Sequence, residues 1–215
     1  MNPTLQKTLS PQRTASKQAR QTQLIKATIR SIAKHGLSDT TMAKVAKEAG
    51  LSQGISNLHF QSKDRLLVET LRFVADEYKQ AWQQALENGG KSSAEKLTAV
   101  IEADFGKVVC DRNKLAVWFA FWGESKSRPT YRKICTALDE EYDEMLTRLC
   151  AALIREGGYS GIDSEPIATA LSAMGEGLWL DLLVAPESMD REVAKATCMA
   201  YLAAVFPNHF GSSSR

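Results

Sequence analysis

A chain of 215 residues with 44% hydrophobic side chains can bury a substantial core, and its formal charge of +2 lies close to balance. The N-terminus carries no apolar run resembling a signal peptide, and the densest apolar stretch, Leu115 to Trp122, is too short to span a bilayer; a cytoplasmic protein without a membrane partner is expected. Cys110, Cys135, Cys150 and Cys198 are dispersed with no CxxC pair, which argues against zinc sites and disulfide frameworks and for buried, inert thiols.

The near-neutral total hides an asymmetry. Residues 1–72 hold twelve Lys/Arg against four Asp/Glu, a net +8, whereas residues 73–215 hold fifteen against twenty-one, a net −6. A basic third suits a polyanion, and the acidic remainder suits something else. Residues 1–16, polar and with two prolines, read as a flexible arm. From Lys17 the apolar positions Leu24, Ile25, Ile29, Ile32 and Ala33 follow helical spacing to His35, and Gly36 ends the run. "SDTT" then caps a short helix with Met42, Val45, Ala46 and Ala49 on one face, ending at Gly50. Ser52 caps a second short helix, to about Phe60, and "QSKD" opens a long one over about 65–87. Further helices are expected near 92–110, 113–124, 128–156, 164–184 and 188–206, with no sustained strand alternation. The class is all-α, with about nine helices.

Two short helices joined by a tight glycine turn form a helix-turn-helix. Val45, Ala46, Ala49, Leu51, Ile55 and Leu58 are expected to lock the pair together, with Leu24, Ile25, Ile29 and Phe60 completing a three-helix core. Gln53, Ser56, Asn57 and His59 then face outward, with side chains suited to base edges and phosphates. Thr41 in the preceding helix and Lys63 opening the next are candidate phosphate contacts. The alternative is a structural hairpin with a polar face; the local charge of the basic third favours DNA.

The segment "TTMAKVAKEAGLSQGISNLHFQSKDRLL" resembles the DNA-binding signature of TetR-family repressors: a Thr before the first apolar residue, "A..AG.S.G", an aromatic end and "F..K..LL". The resemblance implies a 17–64 DNA-binding domain, phosphate contacts from Thr41 and Lys63, and groove contacts from Gln53, Ile55, Asn57 and His59. It departs from the family at His59, where Tyr is usual, and at Asn57, often Tyr as well, so no operator sequence carries over.

In the acidic region, "VWFAFWGES" puts Trp118 and Trp122 on one helix face with Phe121 beside them and Glu124 following. "MGEGLWLDLLV" sets Trp179 among apolar residues with Glu176 and Asp181 nearby. Aromatic faces with a carboxylate suit a quaternary ammonium; alternatively the rings only fill a core. Both segments, with Pro129, Tyr131 and Arg132, resemble the C-terminal signature of the BetI type of choline-responsive repressors of glycine-betaine synthesis genes. That resemblance implies a 65–206 ligand-binding and dimerisation domain responding to choline or a related compound, followed by a polar tail over 207–215.

Small residues mark the last two long helices: Ala168, Ala170, Ala173, Gly175 and Gly177, then Ala194, Ala196, Ala200, Ala203 and Ala204. With Leu171, Leu178, Met199, Leu202 and Val205 they are expected to form the homodimer interface that the resemblance implies. Paired copies let two short helices meet successive turns of a pseudo-palindromic operator. The long helix at 65–87 is the natural lever between effector and DNA. Among enzyme signatures there is no Glu-x-x-His pair, no Gly-rich phosphate loop and no His near the aromatic segments; no catalytic role, cofactor or metal is expected.

Overall fold

In the computed structural model, which describes residues 11–211, the described chain is all-α, with ten helices and no strand. Two compact units meet between Thr70 and Leu71, six residues beyond the expected boundary, and the buried Leu66, Leu67 and Thr70 of the first turns after Ser62 belong to the first.

The N-terminal unit contains α1 (Pro11–Asp39), α2 (Met42–Glu48), α3 (Gln53–Phe60) and the start of α4 (Lys63–Asn88). Residues 1–10 of the expected arm lie outside the described residues, and the rest of it is already helical in α1. Gly36, expected as a stop, interrupts α1 with φ 76° and ψ 170°, a conformation that suits glycine. Leu24, Ile29, Ile32, Val45, Ala46, Phe60, Leu66 and Leu67 form the apolar interior. Buried hydroxyls are satisfied locally: Thr28 donates to the Leu24 carbonyl at 2.8 Å and Thr40 to the Gly36 carbonyl at 2.8 Å.

The C-terminal unit contains the rest of α4 and α5 (Ser93–Asp104), α6 (Arg112–Glu124), α7 (Pro129–Gly157), α8 (Ser164–Val184), α9 (Arg191–Val205) and the short α10 (Pro207–Phe210). Sequence explains the boundaries. Ser92 and Glu95 form a reciprocal capping box on α5, and Asp111 accepts from the Asn113 and Lys114 amides at 3.1 Å to start α6. Pro129 occupies the first turn of α7, where a missing N–H costs nothing, and Gly158 ends that helix with φ 64°. α10 corrects the expected polar tail: the Asn208 amide donates to the Tyr159 hydroxyl at 2.8 Å, and His209 Nδ1 lies 3.1 Å from the same oxygen.

Among the described residues α8 alone is long and apolar enough to cross a membrane, with mean hydropathy 1.4, which the sequence reading had assigned to no segment. It lies in a compact helical unit and buries Ile167, Ala168, Leu171, Leu178 and Trp179 there. Cys135, Cys150 and Cys198 are buried, and all four thiols are free; burial pushes Cys110 and Cys198 up to about 12 and Cys135 and Cys150 up to about 11. They are inert as nucleophiles at neutral pH.

Candidate functional site

The break between α2 and α3 is chemically specified. The Leu51 amide donates to the Ala46 carbonyl at 2.9 Å and the Gly50 amide to Lys47 at 3.1 Å, with Gly50 at φ 67°. This is a Schellman stop: it closes the orphan carbonyls of α2 only if the residue after the cap is left-handed, which is why glycine stands there. Gln23 from α1 donates to the carbonyl of Ala49 at 2.8 Å and fastens the same corner. Ser52 Oγ then accepts the Ile55 amide at 3.4 Å, starting α3 in a new direction.

Gln53 and Asn57 stand one turn apart on α3, both exposed, and Ile55 is half-buried. Thr41 is exposed at the cap of α2, where its Oγ1 accepts the Lys44 amide at 3.2 Å and keeps its own O–H to donate. Lys63 donates to the Ser38 carbonyl at 2.8 Å; an ammonium has three donors, so this bond aims the side chain and leaves two for a phosphate. His59 is half-buried, with no partner for Nδ1 among the described residues, and burial with the nearby Lys17 and Arg20 holds its pKa below the ordinary value. It is therefore neutral at neutral pH.

Two expectations for this helix are corrected. Ser56, expected to face outward, is fully buried, its Oγ 3.9 Å from Met42 Sδ. Leu58, expected in the core, is 78% exposed. The helix is rotated from the expected setting because Phe60 and Ser56, one turn apart, both point inward, which turns Leu58 out with Gly54 and Asn57.

In the C-terminal unit, α4, α5, α6, α7 and α8 enclose a cavity with about 480 Å³ of unfilled space including its opening. Its walls are aromatic. Tyr78 sits centrally, with ring centroids 5.1 Å from Trp179, 5.5 Å from Tyr142 and 6.4 Å from Trp118, the two tryptophans edge-on to it. Trp122 lies 5.8 Å from Trp118, one turn along α6, and is half-buried where Trp118 is buried. The Trp179 indole N–H donates to the Asp104 carbonyl at 3.1 Å, fixing that ring.

Three carboxyls, Asp104, Asp139 and Glu176, line the same cavity. Asp104 is buried at the end of α5, with the Tyr142 hydroxyl donating to its Oδ2 and, among the described residues, no donor on Oδ1. Burial pushes its pKa up to about 7, against the hydroxyls of Tyr142 and Tyr78, which favour the charged form. Asp139 is likewise pushed up to about 7, by burial first and then by Glu176, Asp143 and Glu140.

Of the residues expected to hold a ligand, Trp118, Trp122, Glu176 and Trp179 are brought together here. Phe121 is not: it is fully buried, its ring 4.8 Å from Tyr131 and perpendicular to it, and it does not line the cavity. Glu124 accepts from Ser127 Oγ at 3.3 Å at the end of α6, and Asp181 is exposed on α8; neither lines the cavity. Five residues along α8 turn Asp181 well away from Glu176. Sequence reading missed Tyr78, Asp104, Asp139 and Tyr142. Asp139 and Tyr142 sit in the acidic run "DEEYDE" of α7. The available signal was the alternation of that run with Leu138, Met145 and Leu146, all buried, which marks an inward face.

The basic head with its specified turn, and the separate aromatic cavity, define a ligand-responsive DNA-binding regulator. Residues 24–70 match the model of the bacterial regulatory proteins of the tetR family, and residues 93–207 match that of the BetI-type transcriptional repressor C-terminal domain. A BetI 1 transcriptional regulator of Chromohalobacter salexigens is 30% identical over 85% of this chain and 88% of its own; the BetI regulator of Burkholderia mallei is 31% identical over 86% and 93%. Among solved structures, a transcriptional regulator from Pseudomonas aeruginosa superposes with TM-score 0.77 at 28% identity, covering 93% of each chain. One from Saccharomonospora viridis, in complex with choline, superposes with TM-score 0.76 at 22% identity, covering 86% of this chain and 95% of that one. The chain belongs to the TetR family of transcriptional regulators, with a BetI-type C-terminal domain, and is not an enzyme.

Proposed function

We propose that this regulator is a cytoplasmic repressor which binds a pseudo-palindromic operator as a homodimer and releases it when choline, or a related quaternary ammonium compound, enters the aromatic cavity. The genes controlled are those of choline use or glycine-betaine synthesis. The observation that carries the effector reading is the joint occurrence of Trp118, Trp122, Trp179, Tyr78 and Tyr142 with the carboxyls of Asp104, Asp139 and Glu176 in one cavity. Ring faces attract a cation that cannot be deprotonated, and a carboxylate balances its charge. The rings of the cavity pack closely, with Tyr78 between 5.1 and 6.4 Å from Trp179, Tyr142 and Trp118, so entry requires side chains to shift. Trp122, half-buried on α6, is free to do so.

Binding alone switches nothing; choline must prefer the protein conformation that fits the operator less well. α4 carries Lys63 at its start and Tyr78 further along, so the helix that bears a cavity residue also bears a phosphate contact. The test is release of an inverted-repeat duplex by choline, measured by fluorescence anisotropy. Equal operator affinity with and without choline or its trimethylammonium analogues rejects the effector. Trp122→Ala is expected to weaken choline binding by roughly tenfold and leave operator affinity unchanged, because it removes ring contacts from a half-buried position.

The homodimer reading moves to different residues from those expected. Leu171, Leu178 and Leu202, expected at the interface, are buried within the subunit. The exposed face of α8 carries Ala170, Ala173, Gly177, Leu180 and Val184, and that of α9 carries Val193, Ala196, Ala200 and Ala204. These small and apolar side chains allow a close four-helix contact with a second copy.

On the DNA side, Thr41 and Lys63 serve phosphates, Gln53 and Asn57 serve base edges, and the exposed Leu58 offers methyl groups to thymine. Lys63→Ala is expected to weaken specific and random duplexes alike and to lower the salt dependence by about one unit per head. Asn57→Ala should cost about 1–3 kcal/mol at one base step and relax preference there. A uniform loss for Asn57→Ala across a randomised operator library would remove it from the base readers.

A further inference from the structure

We propose that the aromatic cavity is a cation–proton exchange site, in which a proton held by the Asp104 and Asp139 carboxyls leaves for solvent as a cationic effector enters. The inference rests on the effector reading above and adds how that site is regulated. Its basis is a charge imbalance built into the walls. Asp104, Asp139 and Glu176 line the cavity, and no Lys, Arg or His is among its lining residues.

Asp104 is the deepest of the three. It is 7% exposed, and its Oδ1 has no hydrogen-bond partner among the described residues. Ionised in the empty cavity, that oxygen would be a buried charge with nothing opposite it. The groups that face it from neighbouring helices do not neutralise it: Tyr78 on α4 and Tyr142 on α7 are neutral hydroxyls. Cys198 on α9 and Cys110 beyond the end of α5 are thiols whose own ionisation Asp104 opposes, and Arg191 acts on Cys110. Lys114 and Lys79, on α6 and α4, pair with other acids, Lys114 with Glu77 at 2.9 Å and Lys79 with Glu141.

The charged groups that act on Asp139, half-buried on α7, are acids: Glu176 on α8, and Asp143 and Glu140 on its own helix. Glu176 is an exposed residue on α8 whose carboxyl is pushed up by partial desolvation and then by Asp143. Both Asp104 and Asp139 lie at about 7, so the empty cavity carries protons at neutral pH. A quaternary ammonium brings the missing positive charge and cannot give it up. The charge balance is then simple: one cation in, one proton out, and the cavity keeps its net charge. Choline therefore competes with protons, and its apparent affinity falls in acid by about tenfold per pH unit below the shared pKa. A zwitterion with a carboxylate of its own gains much less, since its anionic end meets the same acids.

The test uses the full-length protein and choline chloride in isothermal titration calorimetry. Runs at matched pH in buffers of different ionisation enthalpy count the protons released, and a series from about pH 6 to about pH 8 gives the affinity profile. Expected are release of about half a proton near pH 7 that rises toward one near pH 6, a slope approaching one decade per pH unit in acid, and a plateau above about pH 8. Tetramethylammonium, which has no hydroxyl, is expected to give the same proton count. In parallel, carboxyl carbon resonances of the empty protein should show an aspartate titrating near neutrality that is missing from Asp104→Asn. Choline that binds with no proton release and flat affinity overturns the exchange and leaves the effector reading intact. Failure of both cations to bind overturns both.

Discussion

Asp104→Asn is expected to weaken choline binding by about a hundredfold at pH 8, and by much less at pH 6, while making the empty protein more heat-stable at pH 8. The two effects share a cause. Removing the carboxylate leaves the bound cation without its most buried counter-charge, a loss of about 2–4 kcal/mol when one partner of a desolvated pair is deleted. Asparagine is isosteric with the protonated acid, keeps an oxygen for the Tyr142 hydroxyl, and needs no deprotonation, so the cavity retains its shape. At pH 6 the wild type must expel its proton before gaining the ion pair, and the difference between the two proteins shrinks.

The stability effect has the opposite sign. The carboxyl titrates near 3.9 in the unfolded chain and at about 7 in the fold. Between those values the native state binds more protons than the unfolded state, so this contribution falls as pH rises from about 4 to about 7 and is constant above. Asp104→Asn lacks that slope, and its melting temperature should exceed the wild type's increasingly over the same range. Thermal unfolding as a function of pH with calorimetric titration of choline reads both. Unchanged choline affinity at pH 8 would show that Asp104 is not the counter-ion, and the choice of effector would lose its main electrostatic support.

What the sequence made legible was whatever depends on neighbours in the chain. Ser52 as a cap, Gly50 as a stop, Pro129 and Gly158 at the ends of α7, and the pairing of Trp118 with Trp122 all follow from local geometry, and all are present. The family resemblance supplied the rest of the architecture. What failed was the rotation of elements about their axes. In α3, eight residues long, the expected inward set contained Leu58 and excluded Ser56. Hydrophobicity favours that assignment, yet burying Phe60 fixes the helix the other way, and a small buried Ser56 lets α2 come close.

The cavity failed to be legible for a different reason. Its aromatic half lies in two compact motifs on α6 and α8, whereas Tyr78, Asp104 and Tyr142 come from three other helices and meet only in the tertiary structure. No local pattern distinguishes Asp104 from the exposed acids at Glu102 or Asp111. The same limit produced Asp181 and Phe121 as false members, each near a true one in sequence but on another face of its helix.

Phe60→Ala is expected to abolish operator binding and spare choline binding. Phe60 is 2% exposed at the last position of α3, and Gln61 follows at φ 61°, a left-handed residue that only a well-anchored helix end can hold. Deleting the ring removes apolar area and leaves a cavity that a small unit cannot close, at a cost of about 3–5 kcal/mol. That is a large share of the 5–15 kcal/mol typical of a whole domain. The core around Leu97, Leu115, Phe121 and Leu146 and the walls of the aromatic cavity belong to the other unit and contain no part of Phe60. Hydrogen exchange should therefore show loss of protection within α1 to α3, with choline titration unchanged. Leu58→Ala, two positions earlier on the same helix, is the contrast: at 78% exposure it should alter stability by no more than about 0.5 kcal/mol, yet change which operator bases are preferred. If Leu58→Ala destabilises as strongly as Phe60→Ala, the recognition helix sits in the orientation first expected from its hydrophobicity, and the assignment of Gln53, Asn57 and Leu58 to the DNA face is wrong.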